Sequence, residues 1–311
     1  MRRSTRAAAK ASQQATSYAL KRDRSQSTSS KDETIKKRTK RSAPKKNVVK
    51  ESPDVDWKSW SANASSTPYP DFKHPTNREC HLAYDMLYSL HNSAVEAEFN
   101  DTITPETIPF VLDAMMVAVL SQATSWSNAK RAMDSMKNIY GSVFAYENIY
   151  TGGSEKLQKT IRCGGLHVRK TKIIMSILDD VKRRYGKWNL DHLLAASDED
   201  AMQELLSYKY IGSKSAFVVM GWCLKRNRFT VDVHVHRIAG LWGWIPEGAS
   251  RENAQLHLDA VVPGELKFKL HFFLIQHGRT CVACRGGSRV GGCEVKVEVR
   301  RRLGEEEDVV I

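Results

Sequence analysis

The sequence predicts an all-α protein behind a disordered basic tail. Three observations carry this: apolar residues recur at helical spacing from about residue 76 to 278, Gly and Pro fall at the edges of those runs, and convincing two-residue alternation is absent. The first fifty residues are rich in Ser, Thr, Lys and Ala and poor in aromatics, so they lack the apolar surface to fold alone.

An ordered region is expected to begin near Trp57 and Trp60. Thr76-Asn77-Arg78-Glu79 has the form of a capping box, in which hydroxyl and carboxylate reciprocally satisfy free amides, and Leu82, Met86, Leu87 and Leu90 follow at helical spacing. A second helix starts near Pro109, and Phe110 to Leu120 is apolar enough to be buried on most sides. Further helices are expected at about 126–140, 154–162 and 167–184, with Gly141 and Gly186 as stops. Ser197 before Asp198, Glu199 and Asp200 starts another, with anions at the positive end of the helix dipole. The remaining helices fall at about 213–224, 233–242, 251–260 and 264–278, and the acidic run Glu305-Glu306-Glu307-Asp308 reads as a solvated tail.

The formal net charge is +13 over 311 residues. Residues 1–50 hold 16 Lys or Arg against three acids, so the whole excess sits there. Such a tail suits attraction to a polyanion through counterion release, and equally suits a solvated targeting segment. Lys36-Lys37-Arg38-Thr39-Lys40-Arg41, followed by Lys45-Lys46, has the composition of a nuclear import signal. The acid-free first 22 residues, rich in Arg, Ala and Ser, also suit a mitochondrial transit peptide. No apolar run approaches the ~18 residues of a membrane span. Six cysteines in a chain this long point to a reducing compartment rather than a disulfide framework.

The chemistry concentrates between Leu205 and Trp244. Lys214 stands in the first turn of a helix whose body, Ala216 to Leu224, is almost wholly apolar. Helix dipole and desolvation both disfavour a positive charge there, so this Lys should lose its proton more readily than a surface Lys, as an amine nucleophile requires. The structural alternative is a Lys that snorkels to solvent. Asp232 lies at the start of the helix beginning Val233-His234, where an Asp commonly serves as N-cap. Trp222, Trp242 and Trp244, at helical spacing among apolar neighbours, are expected in the core, as are Cys80, Cys163 and Cys223. His236 is expected to be structural.

Tyr208-Lys209-Tyr210-Ile211-Gly212-Ser213-Lys214-Ser215-Ala216 followed by Val231-Asp232-Val233-His234 resembles the core signature of the helix-hairpin-helix DNA glycosylase superfamily, in its endonuclease III-like branch. Val119-Leu120-Ser121-Gln122-Ala123-Thr124, Gly165-Leu166 with Lys170 and Lys172, and Leu274 to Arg279 extend the likeness over residues 109–281. The resemblance implies two helical lobes about a central cleft: a contiguous one at about 127–232, a second from flanking segments, and a domain spanning 56–281. Tyr210-Ile211-Gly212 would be the hairpin turn gripping the DNA backbone, with Lys209 and Ser213 beside it. Lys214 would be the Schiff-base nucleophile and Asp232 its electrostatic and general-base partner. Gln122 would fill the gap left by a flipped nucleotide, or else be a loop glutamine bonded to backbone, and His234 would pack near the site. The implied activity is base removal with β-elimination at the abasic site of double-stranded DNA carrying damaged or mismatched bases, by a monomer. The alternatives are a binding protein of weak or no activity, and a glycosylase without lyase action.

Two departures stand out. The family hairpin reads Pro-Gly-hydrophobic-Gly, whereas this chain has Lys209-Tyr210-Ile211-Gly212. The branch commonly holds a [4Fe–4S] cluster on four cysteines, whereas here Cys281, Cys284 and Cys293 have no fourth. The expectation is therefore no cofactor and no metal, with these cysteines as remnants in a C-terminal tail from residue 282.

Overall fold

The structure is a computed structural model that describes residues 57–58, 60–62, 66–99, 108–286 and 292–307. The basic clusters of residues 1–50 lie outside the described residues, all of which belong to the compact unit Val49–Ile311. Among them there are eleven α-helices and no strand. No helix among the described residues is long and apolar enough to cross a membrane.

The capping box forms as its residue types dictate. The Thr76 amide donates to Glu79 and the Glu79 amide to the Thr76 hydroxyl, opening α1 (Asn77–Phe99). Then α2 (Val111–Leu120) is buried at every position, as an apolar run with no polar stripe must be. Ser125 caps α3 (Trp126–Tyr140), which ends on Gly141 at φ 86°. Next, α4 (Tyr146–Thr160) is longer than its sequence pattern suggests, because Gly153 at φ 75° breaks it and only the second half carries the periodicity. A 3₁₀ turn, Ile161–Gly164, leads into α5 (His167–Tyr185), stopped by Gly186 at φ 67°. After a second 3₁₀ turn, Asp191–Leu194, Ser197 caps α6 (Asp198–Ser207), and α7 (Ser213–Trp222) completes a helical hairpin.

The elements from α2 to α7 share one hydrophobic core running from Ile108 to Leu224, with Trp60 and Leu256 joining it. The helix α2 packs inside this core, so the lobe begins earlier than the expected boundary near 127. The second core gathers α1 with α8 (Val233–Trp242), α9 (Arg251–Val261), α10 (Gly264–Thr280) and α11 (Glu294–Glu307). Trp222, Trp242 and Trp244 are buried in these cores as expected, and so are Cys80 and Cys223.

Two expectations are corrected. Cys163 is exposed, because it falls in the 3₁₀ turn rather than on an apolar helix face, and its thiol lies 3.3 Å from the Arg131 carbonyl. The segment taken as a tail from 282 contains α11, whose Val295 and Val299, four residues apart, are buried against the second core.

The connection between the cores is pinned by charge. Arg228 reaches Asp198 at 2.7 Å on α6 and Asp259 at 3.0 Å on α9, the second carboxylate being nearly buried. Asp259 also accepts from the Phe229 amide at 2.6 Å, and Gln255 accepts from the Val231 amide at 2.7 Å. Satisfying these amides in an extended, buried segment fixes the chain path into Asp232.

Candidate active site

The hairpin turn has tyrosine where the family pattern has its first glycine. Tyr210 sits at φ 74°, in the left-handed region where glycine is the unstrained choice. Its ring lies under two ammonium groups, Lys209 at 5.5 Å and Lys172 at 5.9 Å from the centroid. Ile211 is buried and anchors the turn from below. A hollow of about 610 Å³ flanks Tyr210, lined by Leu166, Val168 and Ile173 as well as His167, Arg169 and Lys172, so two cationic side chains stand beside an apolar floor near the tip. Gly212 is the N-cap of α7 and offers no side chain to cap it, which leaves the first-turn amides open to an external anion.

Lys214 follows in that first turn. Its side chain is accessible, yet neighbouring atoms crowd it enough that desolvation lowers its pKa. The Asp232 carboxylate opposes this shift and the Arg251 guanidinium adds to it. Accessibility describes an open approach and the pKa shift a crowded base, so the two belong together in a recess.

Asp232 is the N-cap of α8. One carboxylate oxygen, Oδ1, accepts from both the His234 and Val235 amides at 2.8 Å. The cap uses Oδ1 alone and leaves the second carboxylate oxygen out of it. Burial pushes the Asp232 carboxyl up, but His271, Lys214 and the Val235 amide outweigh it and leave the net pKa below the usual value. His271 is itself lowered to about 4 by burial, so it is neutral at neutral pH. There the carboxylate relies on Lys214 and the helix amides. The lysine comes from the first core and the aspartate from the second, so the charged pair spans the junction of the lobes.

The surroundings hold these groups in place. Gln122 donates to the Ser215 hydroxyl at 3.0 Å, which sets the Gln122 loop beside the residue following Lys214. That loop is fixed from behind by Lys170, only 2% exposed, whose Nζ donates to the carbonyls of Leu120 at 2.6 Å and Gly164 at 3.2 Å. Thr124 donates to the same Gly164 carbonyl at 3.1 Å. Arg237 donates to His234 Nδ1 at 3.1 Å and to the carbonyls of Gly278 at 3.0 Å and Cys284 at 2.6 Å. A side chain at Gly278 would come within 2.9 Å of His234, so glycine is needed for that approach. His236 bonds the Ala249 carbonyl at 2.9 Å, a structural role.

The expected site residues thus fall into two groups. Lys214 and Asp232 act on each other electrostatically, His234 gives its amide to Asp232 and Gln122 bonds Ser215 next to Lys214, whereas Lys209, Tyr210, Ile211 and Gly212 form the turn at the start of α7. The cysteines Cys281, Cys284 and Cys293 belong to neither and converge elsewhere with His277. Local pattern did not single out Lys170, Arg237, His271 or Arg251. Each acts through a partner distant in sequence, and the Gly165-Leu166-Lys170 likeness was the one signal touching any of them.

A lysine on a helical hairpin acting on a helix-capping aspartate across two helical lobes defines the class of site expected of a helix-hairpin-helix glycosylase. Residues 116–263 match the HhH-GPD superfamily of base excision DNA repair proteins. A protein of Arabidopsis thaliana provisionally named a DNA glycosylase is 32% identical over 240 residues, covering 70% of this chain and 81% of that one. Endonuclease III of Thermotoga maritima is 26% identical over 174 residues, covering 56% and 75%. A solved structure of a trapped endonuclease III–DNA covalent intermediate shares the fold with a TM-score of 0.55 at 19% identity, covering 73% of this chain and 99% of that one. The chain belongs to the HhH-GPD superfamily of base excision DNA repair proteins and is one of its DNA glycosylases.

Proposed function

We propose that the protein is a bifunctional enzyme, removing a damaged or mismatched base from double-stranded DNA and then nicking the strand by β-elimination. The observation that carries this reading is the accessible Lys214 amine, its pKa lowered by desolvation, with the Asp232 carboxylate acting on it. A backbone phosphate docks on the uncapped amides of α7, and the cationic side chains around Tyr210 hold the adjacent strand. The target nucleotide leaves the stack, and Gln122, on a braced loop, occupies the space it vacates.

As the glycosidic bond breaks, its electron pair departs with the base and cationic character grows at the sugar C1′, which Asp232 stabilises. Lys214 adds through its nitrogen lone pair, giving up a proton to Asp232 or solvent, and the adduct opens to an imine. Loss of a C2′ proton then expels the 3′ phosphate and breaks the strand. A neutral amine is required for the attack, and the lowered Lys214 pKa raises the share of it. We further propose that the excess charge of residues 1–50 directs the protein to the nucleus and draws it to DNA.

The test is strand nicking of an abasic-site duplex by wild type and Lys214→Gln, with duplex binding measured beside it. The reading expects binding retained within a few-fold and nicking lost in the variant. Equal nicking by both proteins would overturn it.

A further inference from the structure

Among the described residues, one cluster of metal-ligating side chains stands apart from the active site. His277 near the end of α10, Cys281 and Cys284 in the turn after it, and Cys293 just before α11 bring four donor atoms together within 4.8 Å of one another. His277 and Cys284 are each 1% exposed, Cys293 7%, and Cys281 is half-buried. Three soft sulfurs and a ring nitrogen crowded in a near-dry pocket repel one another as thiolates and waste donor capacity as thiols.

The set does not suit a [4Fe–4S] cluster. Such a cluster takes four thiolates, each on a different iron, and so spreads its ligands well apart. Here there are three thiols, and the donors crowd as they would around one ion. Four ligands on a single tetrahedral Zn²⁺, with bonds of about 2.0–2.3 Å, stand about 3.5–3.8 Å from one another. The His277 Nε2 to Cys293 Sγ separation is 3.3 Å, close to that edge.

The outer partner completes the arrangement. His277 Nδ1 lies 3.0 Å from His91 Nε2 on α1. With His91 accepting, the His277 proton sits on Nδ1, and the Nε2 lone pair is left facing the sulfurs. Metal-bound histidines are held by this kind of second hydrogen bond, which fixes both tautomer and ring orientation.

We propose that His277, Cys281, Cys284 and Cys293 form a closed structural site for one Zn²⁺, with His91 as the positioning residue behind His277. The ion ties the end of α10 to the start of α11 and, through His91, to α1, at the edge of the core those three helices already share. It also stiffens the turn whose Cys284 carbonyl receives Arg237, the residue that holds His234 beside Asp232.

The experiment is metal analysis of the full chain, purified without a metal-affinity tag from cells supplied with both iron and zinc. The expected result is one zinc per chain, no acid-labile sulfide and no visible iron–sulfur absorption. Cys293→Ser should lose more than nine-tenths of the zinc, whereas His277→Cys, which restores a four-thiolate set, should keep it. Metal-free wild type should melt at a lower temperature, recover with Zn²⁺ and not with Mg²⁺, and develop sulfur-to-metal charge-transfer bands with Co²⁺. The Co²⁺ titration reads the site even if Cys293→Ser does not fold. Iron and sulfide in place of zinc, full zinc in Cys293→Ser, or a metal-free protein that takes up neither Zn²⁺ nor Co²⁺ would each overturn the proposal.

Discussion

Lys170 offers the sharpest quantitative test of the packing around the active site. It is 2% exposed, and burial lowers its pKa from 10.5 to about 8. In the unfolded chain the ammonium keeps its ordinary pKa, so between about pH 8 and 10.5 the unfolded state binds more protons and stability rises with pH. The charged form is disfavoured in the fold throughout the range below pH 8, and deprotonation relieves that penalty. A depression of this size corresponds to about 3 kcal/mol in full. Between pH 7 and 9.5 the linkage expression yields about 2 kcal/mol of it. The neutral amine can still donate to both the Leu120 and Gly164 carbonyls, so nothing offsets the gain. Denaturant unfolding of wild type and Lys170→Met at the two pH values isolates the effect, since every other titration is shared. The wild type should gain about 2 kcal/mol on the variant at pH 9.5. An unchanged difference would refute the account of a buried, desolvated ammonium bracing the Gln122 loop.

Two further predictions concern the turn and the cap. Tyr210 at φ 74° makes glycine better than alanine there, contrary to the usual order: Tyr210→Gly should exceed Tyr210→Ala in stability by about 1 kcal/mol, or about 2–4 °C in melting temperature. Equal melting of the two variants would show that the turn does not use positive φ. Asp232→Asn keeps an oxygen to accept the His234 and Val235 amides, so its stability should stay within about 1 kcal/mol of wild type while single-turnover base removal falls by about 100-fold or more. A large loss of stability with intact turnover would reduce Asp232 to a cap.

Much of this molecule is written locally. Thr76 and Glu79 specify the start of α1 by chemistry within four residues, and Gly141 and Gly186 specify two helix ends by needing no Cβ. The Lys214 and Asp232 positions are legible through the likeness of their segments to the family signature, since a helix-opening lysine or aspartate taken alone is commonly a snorkelling or a capping residue. What stays hidden depends on distance. His91 and His277 are 186 residues apart; His277 is visible in the sequence as a possible companion of the three cysteines, but His91 has no signal until α1 packs on α10. Arg237 reads as an ordinary polar face until it is seen reaching two carbonyls more than forty residues away. Gly153 was present as a breaker, but its weak flanking periodicity concealed the first half of α4. The helix α11 was missed because Val295, Val299 and Leu303 form a short stripe among charges, which gains meaning only against a second core.

The central claim is that Lys214 forms the covalent link to DNA. Borohydride reduction during reaction with an abasic-site duplex, followed by peptide mapping of the adduct, tests it most directly. The account predicts a trapped protein–DNA species with the sugar remnant on Lys214, absent in Lys214→Ala. An adduct mapped to another residue, or none at all from a protein that binds the duplex and removes bases, would contradict it.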